Sequence, residues 1–95
     1  MASWEEWLAR YEAAYEAVPE DVHAACPNCG HDALRLVFTG NLAEAVGWAA
    51  FWCDNCLQGI AISRVPIPDG AVVRDIDQAP EHRRPELPDF EVVTA

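Results

Sequence analysis

Apolar residues fall at Trp4, Trp7, Leu8, Tyr11, Ala14, Tyr15 and Val18, the three-and-four spacing that lines one face of a helix. Ser3-Trp4-Glu5-Glu6 supplies its start: the Ser3 hydroxyl can accept from the Glu6 backbone N–H while the Glu6 side chain reaches back, a capping box. Glu5 and Glu6 suit the positive end of the helix dipole, and Arg10 stands four residues after Glu6 in the favourable order for an ion pair. Pro19 pushes Val18 toward extended angles, so the helix is expected to end near Ala17 or Val18. Its polar face carries glutamates where a membrane-surface helix uses lysine and arginine. The aromatic stripe is therefore read as half of a small core.

From Leu34 the period changes to two. Leu34, Leu36 and Phe38 alternate with Arg35, Val37 and Thr39; Val46, Trp48, Ala50 and Trp52 alternate with Gly47, Ala49 and Phe51; Ile60 and Ile62 alternate with Ala61 and Ser63 and run on to Val65. This predicts three strands, the first ending at Gly40-Asn41. Asn41-Leu42-Ala43-Glu44 fits either a short helical turn or a plain loop. Alternation sets Phe51 on the opposite face from Trp48 and Trp52. Trp48, Phe51 and Trp52 are read mainly as packing against Trp4, Trp7, Tyr11 and Tyr15; if the helix covers one face, Phe51 and Val37 form an exposed apolar patch suited to a protein partner. From Pro66 on, five prolines and Asp69-Gly70 punctuate the chain. A short strand at Ala71-Val72-Val73 fits the pattern, and the rest reads as extended, irregular or disordered. Leu87, Phe90, Val92 and Val93 either anchor this tail on the sheet or form a linear peptide for a partner.

Cysteine pairs frame the hairpin. Cys26-Pro27-Asn28-Cys29-Gly30 precedes it and Cys53-Asp54-Asn55-Cys56 follows it, with 23 residues between the pairs. A CxxC holds two thiolates on one tight turn, and two such turns supply the four soft ligands that Zn²⁺ takes in closed structural sites. Cys26, Cys29, Cys53 and Cys56 are thus the expected metal ligands. Pro27 sets one backbone angle, Gly30 is free to take positive φ, and N–H groups in such turns can point at the sulfurs. His31 is near enough to support the site or to substitute for a ligand; the simpler reading is an exposed turn histidine.

The order of knuckle, hairpin, knuckle and strand across residues 26–65 resembles the zinc-ribbon class. That resemblance implies the same four cysteines as ligands. Leu57 follows Cys56 where ribbons often have glycine, with Gly59 two residues later, so a differently shaped second knuckle is expected. The spacing between pairs also exceeds the usual range of about 15–20, which lengthens the hairpin. The expected fold is a small α+β domain over residues 1–95. It comprises an N-terminal amphipathic helix and linker (1–25), packed on a three-stranded antiparallel zinc ribbon (26–65), and a Pro-rich acidic tail (66–95).

Sixteen acidic residues face six arginines and no lysine, for a formal charge of −10. Four thiolate charges less the two of a divalent ion would take this to about −12. Both flanks are strongly acidic and the ribbon is nearly neutral, so no basic stripe tracks phosphates. Arginine-only usage with abundant alanine points to a GC-rich, bacterial genome. The start of the chain lacks the features of a signal peptide and no stretch matches a membrane span, so a cytoplasmic location is expected. In that reducing setting paired cysteines are metal ligands or catalytic thiols before they are disulfides.

No serine stands in a nucleophile–base pattern, no glycine-rich phosphate loop occurs, and neither CxxC sits in the βαβ context of thioredoxin-like enzymes. His23, His31 and His82 form no constellation, and neighbouring acids such as Asp75 and Asp77 read as a solvated face. The expectation is a non-catalytic zinc protein that acts as a protein–protein interaction module, its acidic flanks steering it to a basic partner. Two alternatives stand beside it. One is a nucleic-acid-binding ribbon in transcription or RNA handling, with ring stacking by Trp48, Phe51 and Trp52. The other is a rubredoxin-like electron carrier with iron on the same cysteines.

Overall fold

The computed structural model describes residues 2–94. Helix α1 spans Trp4–Ala17 and begins as its cap dictates: the Glu6 backbone N–H donates to Ser3 Oγ at 3.2 Å, and the Ser3 hydroxyl donates to Glu6 Oε1 at 3.4 Å. Val18, with ψ of 134°, leaves helical space ahead of Pro19. Arg10 does not take up the expected pairing with Glu6; its Nε donates to the Ala25 carbonyl at 3.3 Å and ties the helix to the linker.

β1 (Leu34–Asn41), β2 (Val46–Cys53) and β3 (Gln58–Pro66) form the expected antiparallel meander. Between the first two, Asn41 Oδ1 accepts from the Ala43 and Glu44 N–H groups at 2.9 and 3.3 Å, a side-chain-capped turn. The sheet is larger than three antiparallel strands. β4 (Val73–Asp75) runs parallel to β1 and β5 (Glu91–Val92) parallel to β3, giving a five-stranded mixed sheet in the order β4-β1-β2-β3-β5. Unpaired edges account for this correction. The Phe38 N–H donates to the Val72 carbonyl at 2.9 Å, the Glu91 N–H to Leu57 at 2.9 Å and the Val93 N–H to Gly59 at 2.7 Å, so the tail satisfies edge groups that would otherwise stay open.

The helix covers the Phe51 face of the sheet, so Phe51 packs against the helix aromatics as expected, while Trp48 and Trp52 lie on the other face. Phe51 pairs in register with Leu36, on the side that carries Leu34, Phe38 and Ile60, and it is fully buried. Trp7 meets its ring edge-on at 5.9 Å, Tyr11 at 6.1 Å, and Tyr15 packs on Phe38 at 6.0 Å. Val37, Ala50 and Trp52 cluster on the other face, under Leu87 and Phe90 of the tail. Phe90 stacks on Trp52 with centroids 5.6 Å apart and planes 13° from parallel. Leu87 and Phe90 are thus anchors for the tail, and Val93 packs into the helix-side core.

The expected Phe51–Val37 patch does not exist: the two residues sit on opposite faces and both are buried. Polarity explains the choice. The second face carries Arg35 and Thr39, whose polar atoms the helix would bury without partners; beneath the tail side, Thr39 Oγ1 instead accepts from Arg74 Nη1 at 3.5 Å. No helix among the described residues is long and apolar enough to cross a membrane.

Candidate metal centre

The first knuckle precedes β1, and the second turns the end of β2 into β3. The Asp54 N–H donates to the Ala33 carbonyl at 2.9 Å and the Cys26 N–H to His31 at 2.9 Å, so each turn is fixed by backbone bonds. Both turns close alike. The Gly30 N–H donates to the Cys26 carbonyl and the Leu57 N–H to the Cys53 carbonyl, each at 2.9 Å. Gly30 has φ +81° and Leu57 φ +54°. The second knuckle therefore keeps the shape of the first, against the expectation from its missing glycine. Leu57 adopts the left-handed conformation that glycine takes without strain.

This geometry brings the four thiol sulfurs of Cys26, Cys29, Cys53 and Cys56 within 4.8 Å of one another. Across the knuckles Cys26 Sγ lies 3.8 Å from Cys56 Sγ, and Cys29 Sγ 3.6 Å from Cys53 Sγ. Four sulfurs at about 2.3 Å from a tetrahedral ion stand about 3.8 Å apart, so the set fits one metal. It does not fit disulfides, which need about 2.05 Å; all four cysteines are free.

The surroundings favour thiolates unequally. The Asn28 and Cys29 N–H groups donate to Cys26 Sγ at 3.3 and 3.4 Å, and the Asn55 N–H donates to Cys53 Sγ at 3.4 Å. The Cys29 thiol is held near 5, chiefly by the His31 backbone N–H and then by the Asn55 side-chain amide. Burial pushes Cys26 up and Cys53 up to about 12 despite their N–H donors. A cation at the centre supplies the charge that burial of these two anions demands.

His31 is not part of the sulfur cluster. Its Nδ1 lies 3.1 Å from Asn55 Nδ2, which reaches Cys29 Sγ at 3.5 Å, so it braces the amide that donates to Cys29. Sequence reasoning overlooked two contributors, Asn55 and Asn28; the latter's Oδ1 accepts from the Ala2 N–H at 3.1 Å and docks the start of the chain on the first knuckle. The signal was present: asparagine precedes the second cysteine in both pairs. Asp54 also ties the second knuckle to the sheet, accepting from Trp52 Nε1 at 2.8 Å and pairing with Arg35 Nε at 3.0 Å.

Comparison with protein-family models, curated proteins and solved structures found no match to this chain. Fold and site together define a small α+β protein with four cysteines positioned to hold one metal ion, in a zinc-ribbon-like arrangement.

Proposed function

We propose that this protein is a non-catalytic zinc-stapled interaction module: Cys26, Cys29, Cys53 and Cys56 hold one structural Zn²⁺, and the acidic surface engages a basic protein partner. The observation that carries the metal half is the convergence of four free thiols within 4.8 Å. All four positions are cysteine, which leaves no open coordination site for chemistry at a tetrahedral ion. When bound, the ion cross-links the two knuckles and neutralises part of their thiolate charge. The partner half rests on charge, since a chain of formal charge −10 attracts cations and repels phosphates.

Elemental analysis of the purified protein tests the first half, with one equivalent of zinc and a colourless solution expected. A red, visibly absorbing sample with iron would replace zinc by the electron-carrier reading. Capture of partners from cytosol on the intact chain, with and without chelator, tests the second half. Retention of basic proteins that is lost on chelation is expected; salt-sensitive retention of nucleic acid would overturn the charge argument.

A further inference from the structure

Among the described residues, two stretches of sheet edge lack a neighbour, β3 beyond the end of β5 and β1 ahead of β4; the second is flanked by a cavity. β4 pairs only with Phe38, Thr39 and Gly40 of β1. The Phe38 N–H points to the β4 side, toward Val72, and backbone polar groups alternate sides along a strand. The N–H and carbonyl of Leu36, and the N–H of Leu34, therefore point to that same side beyond the end of β4. The Leu34 carbonyl accepts from Arg35 Nη1 at 3.1 Å. The chain's own continuation does not extend the pairing. Gly70, at φ +82°, packs so closely on Pro19 that an added Cβ would come within 2.7 Å of the proline Cβ, and Gly70, Ala71 and Val72 border the space beside residues 34–38 without pairing in register with them.

What remains is a slot. Residues 34–38 line a cavity of about 850 Å³, walled by Val18, Pro19 and Val22 on the helix side and by Leu87 and Pro88 on the tail side. A five-residue strand along this edge spans about 16 Å. The rim is acidic: Glu20, Asp21, Asp32 and Glu86 line it, Glu86 lying 3.6 Å from Arg84 Nη2, while the one lining arginine, Arg35, is paired with Asp54 at 3.0 Å. His23 Nδ1 lies 3.9 Å from Asp32.

We propose that this slot receives an extended, lysine- or arginine-bearing segment of a partner protein, added to β1 as a strand in line with β4. The proposal rests on the interaction-module reading and gives it a site. Leu36 supplies the main-chain bonds of strand addition, Leu34 being only 1% exposed; the apolar walls take alternate side chains, and the carboxylates take the cationic ones. A second copy of this chain is a poor occupant, because each copy brings its own charge of −10 to an acidic rim.

The test uses the metal-loaded full chain and fluorescent peptides of about six residues that alternate valine with lysine or arginine. Controls are the glutamate counterpart and a basic peptide N-methylated at every residue, which has no N–H donor on either edge. Anisotropy reports binding, and amide NMR with hydrogen exchange reports its place. The expected result is binding of the basic peptide with slowed exchange at Leu36, at least tenfold weaker binding after N-methylation, and a loss of about threefold each for Asp21→Asn and Asp32→Asn. Equal binding of the N-methylated or acidic peptide overturns the proposal. So does protection of Leu36 by self-association without peptide. Basic peptides that perturb other amides but leave Leu36 unchanged refute the slot and spare the interaction-module reading; no binding of any basic peptide counts against both.

Discussion

Truncating Phe51 to alanine removes the ring on which the helix rests. The side chain is fully buried, with Trp7 at 5.9 Å and Tyr11 at 6.1 Å, both edge-on. Core Phe→Ala changes cost about 3–5 kcal/mol, and loss of two aromatic pairs places this one near the top of that range. Against a domain stability of about 5–15 kcal/mol and a urea slope of about 1.5 kcal/mol/M, the midpoint should fall by about 2.5–3 M. Urea titration of the metal-loaded protein, followed by tryptophan fluorescence, measures this. Phe51→Leu keeps most of the volume and provides a folded companion, with a loss of about 1–1.5 kcal/mol. Phe90→Ala removes the ring stacked on Trp52 from a half-buried tail position, and its expected cost is about 1 kcal/mol. A loss below about 1 kcal/mol for Phe51→Ala, or a larger one for Phe90→Ala, would refute the placement of the helix on the Phe51 face.

Removing the metal by chelation should melt at least the knuckles and the strand ends they hold, since structural zinc contributes about 10–16 kcal/mol; amide NMR dispersion retained by verified metal-free protein would contradict this. Tyr11 carries a phenol raised to about 12, first by burial and then by Tyr15. Its folded value exceeds the unfolded one near 10, so its contribution is complete below pH ~10 and is lost as pH rises toward ~12. Alkaline melting in that window should be milder in Tyr11→Phe, and an identical profile in the two proteins would refute the assignment. Leu57→Gly relieves a left-handed leucine whose side chain is 42% exposed. Relief of about 1–2 kcal/mol set against the entropic cost of glycine, about 0.5–1 kcal/mol, predicts a small gain in urea midpoint; a clear loss would show that the leucine packs.

Local chemistry determined much of this protein. The Ser3 cap, the spacing from Trp4 to Tyr15 and Pro19 delimit α1, because capping and φ restriction act within a few residues. The alternation from Leu34 to Val65 marks three strands, and the CxxC pairs identify the sulfur cluster, because each knuckle is a local turn that needs only its neighbour. Tertiary structure decided the rest. β2 is apolar on both faces, with Phe51 on one and Trp48 and Trp52 on the other, so period alone could not say which face the helix takes; the polar atoms of Arg35 and Thr39 on β1 settled it. Val73–Asp75 and Glu91–Val92 are too short to show a period, and they become strands because β1 and β3 offer unpaired edges. Leu57 holds a glycine-like angle because the second knuckle must close on Cys53. The unpaired edge at Leu36 arises the same way, from where β4 stops and Gly70 turns, a relation between distant segments that no local pattern carries.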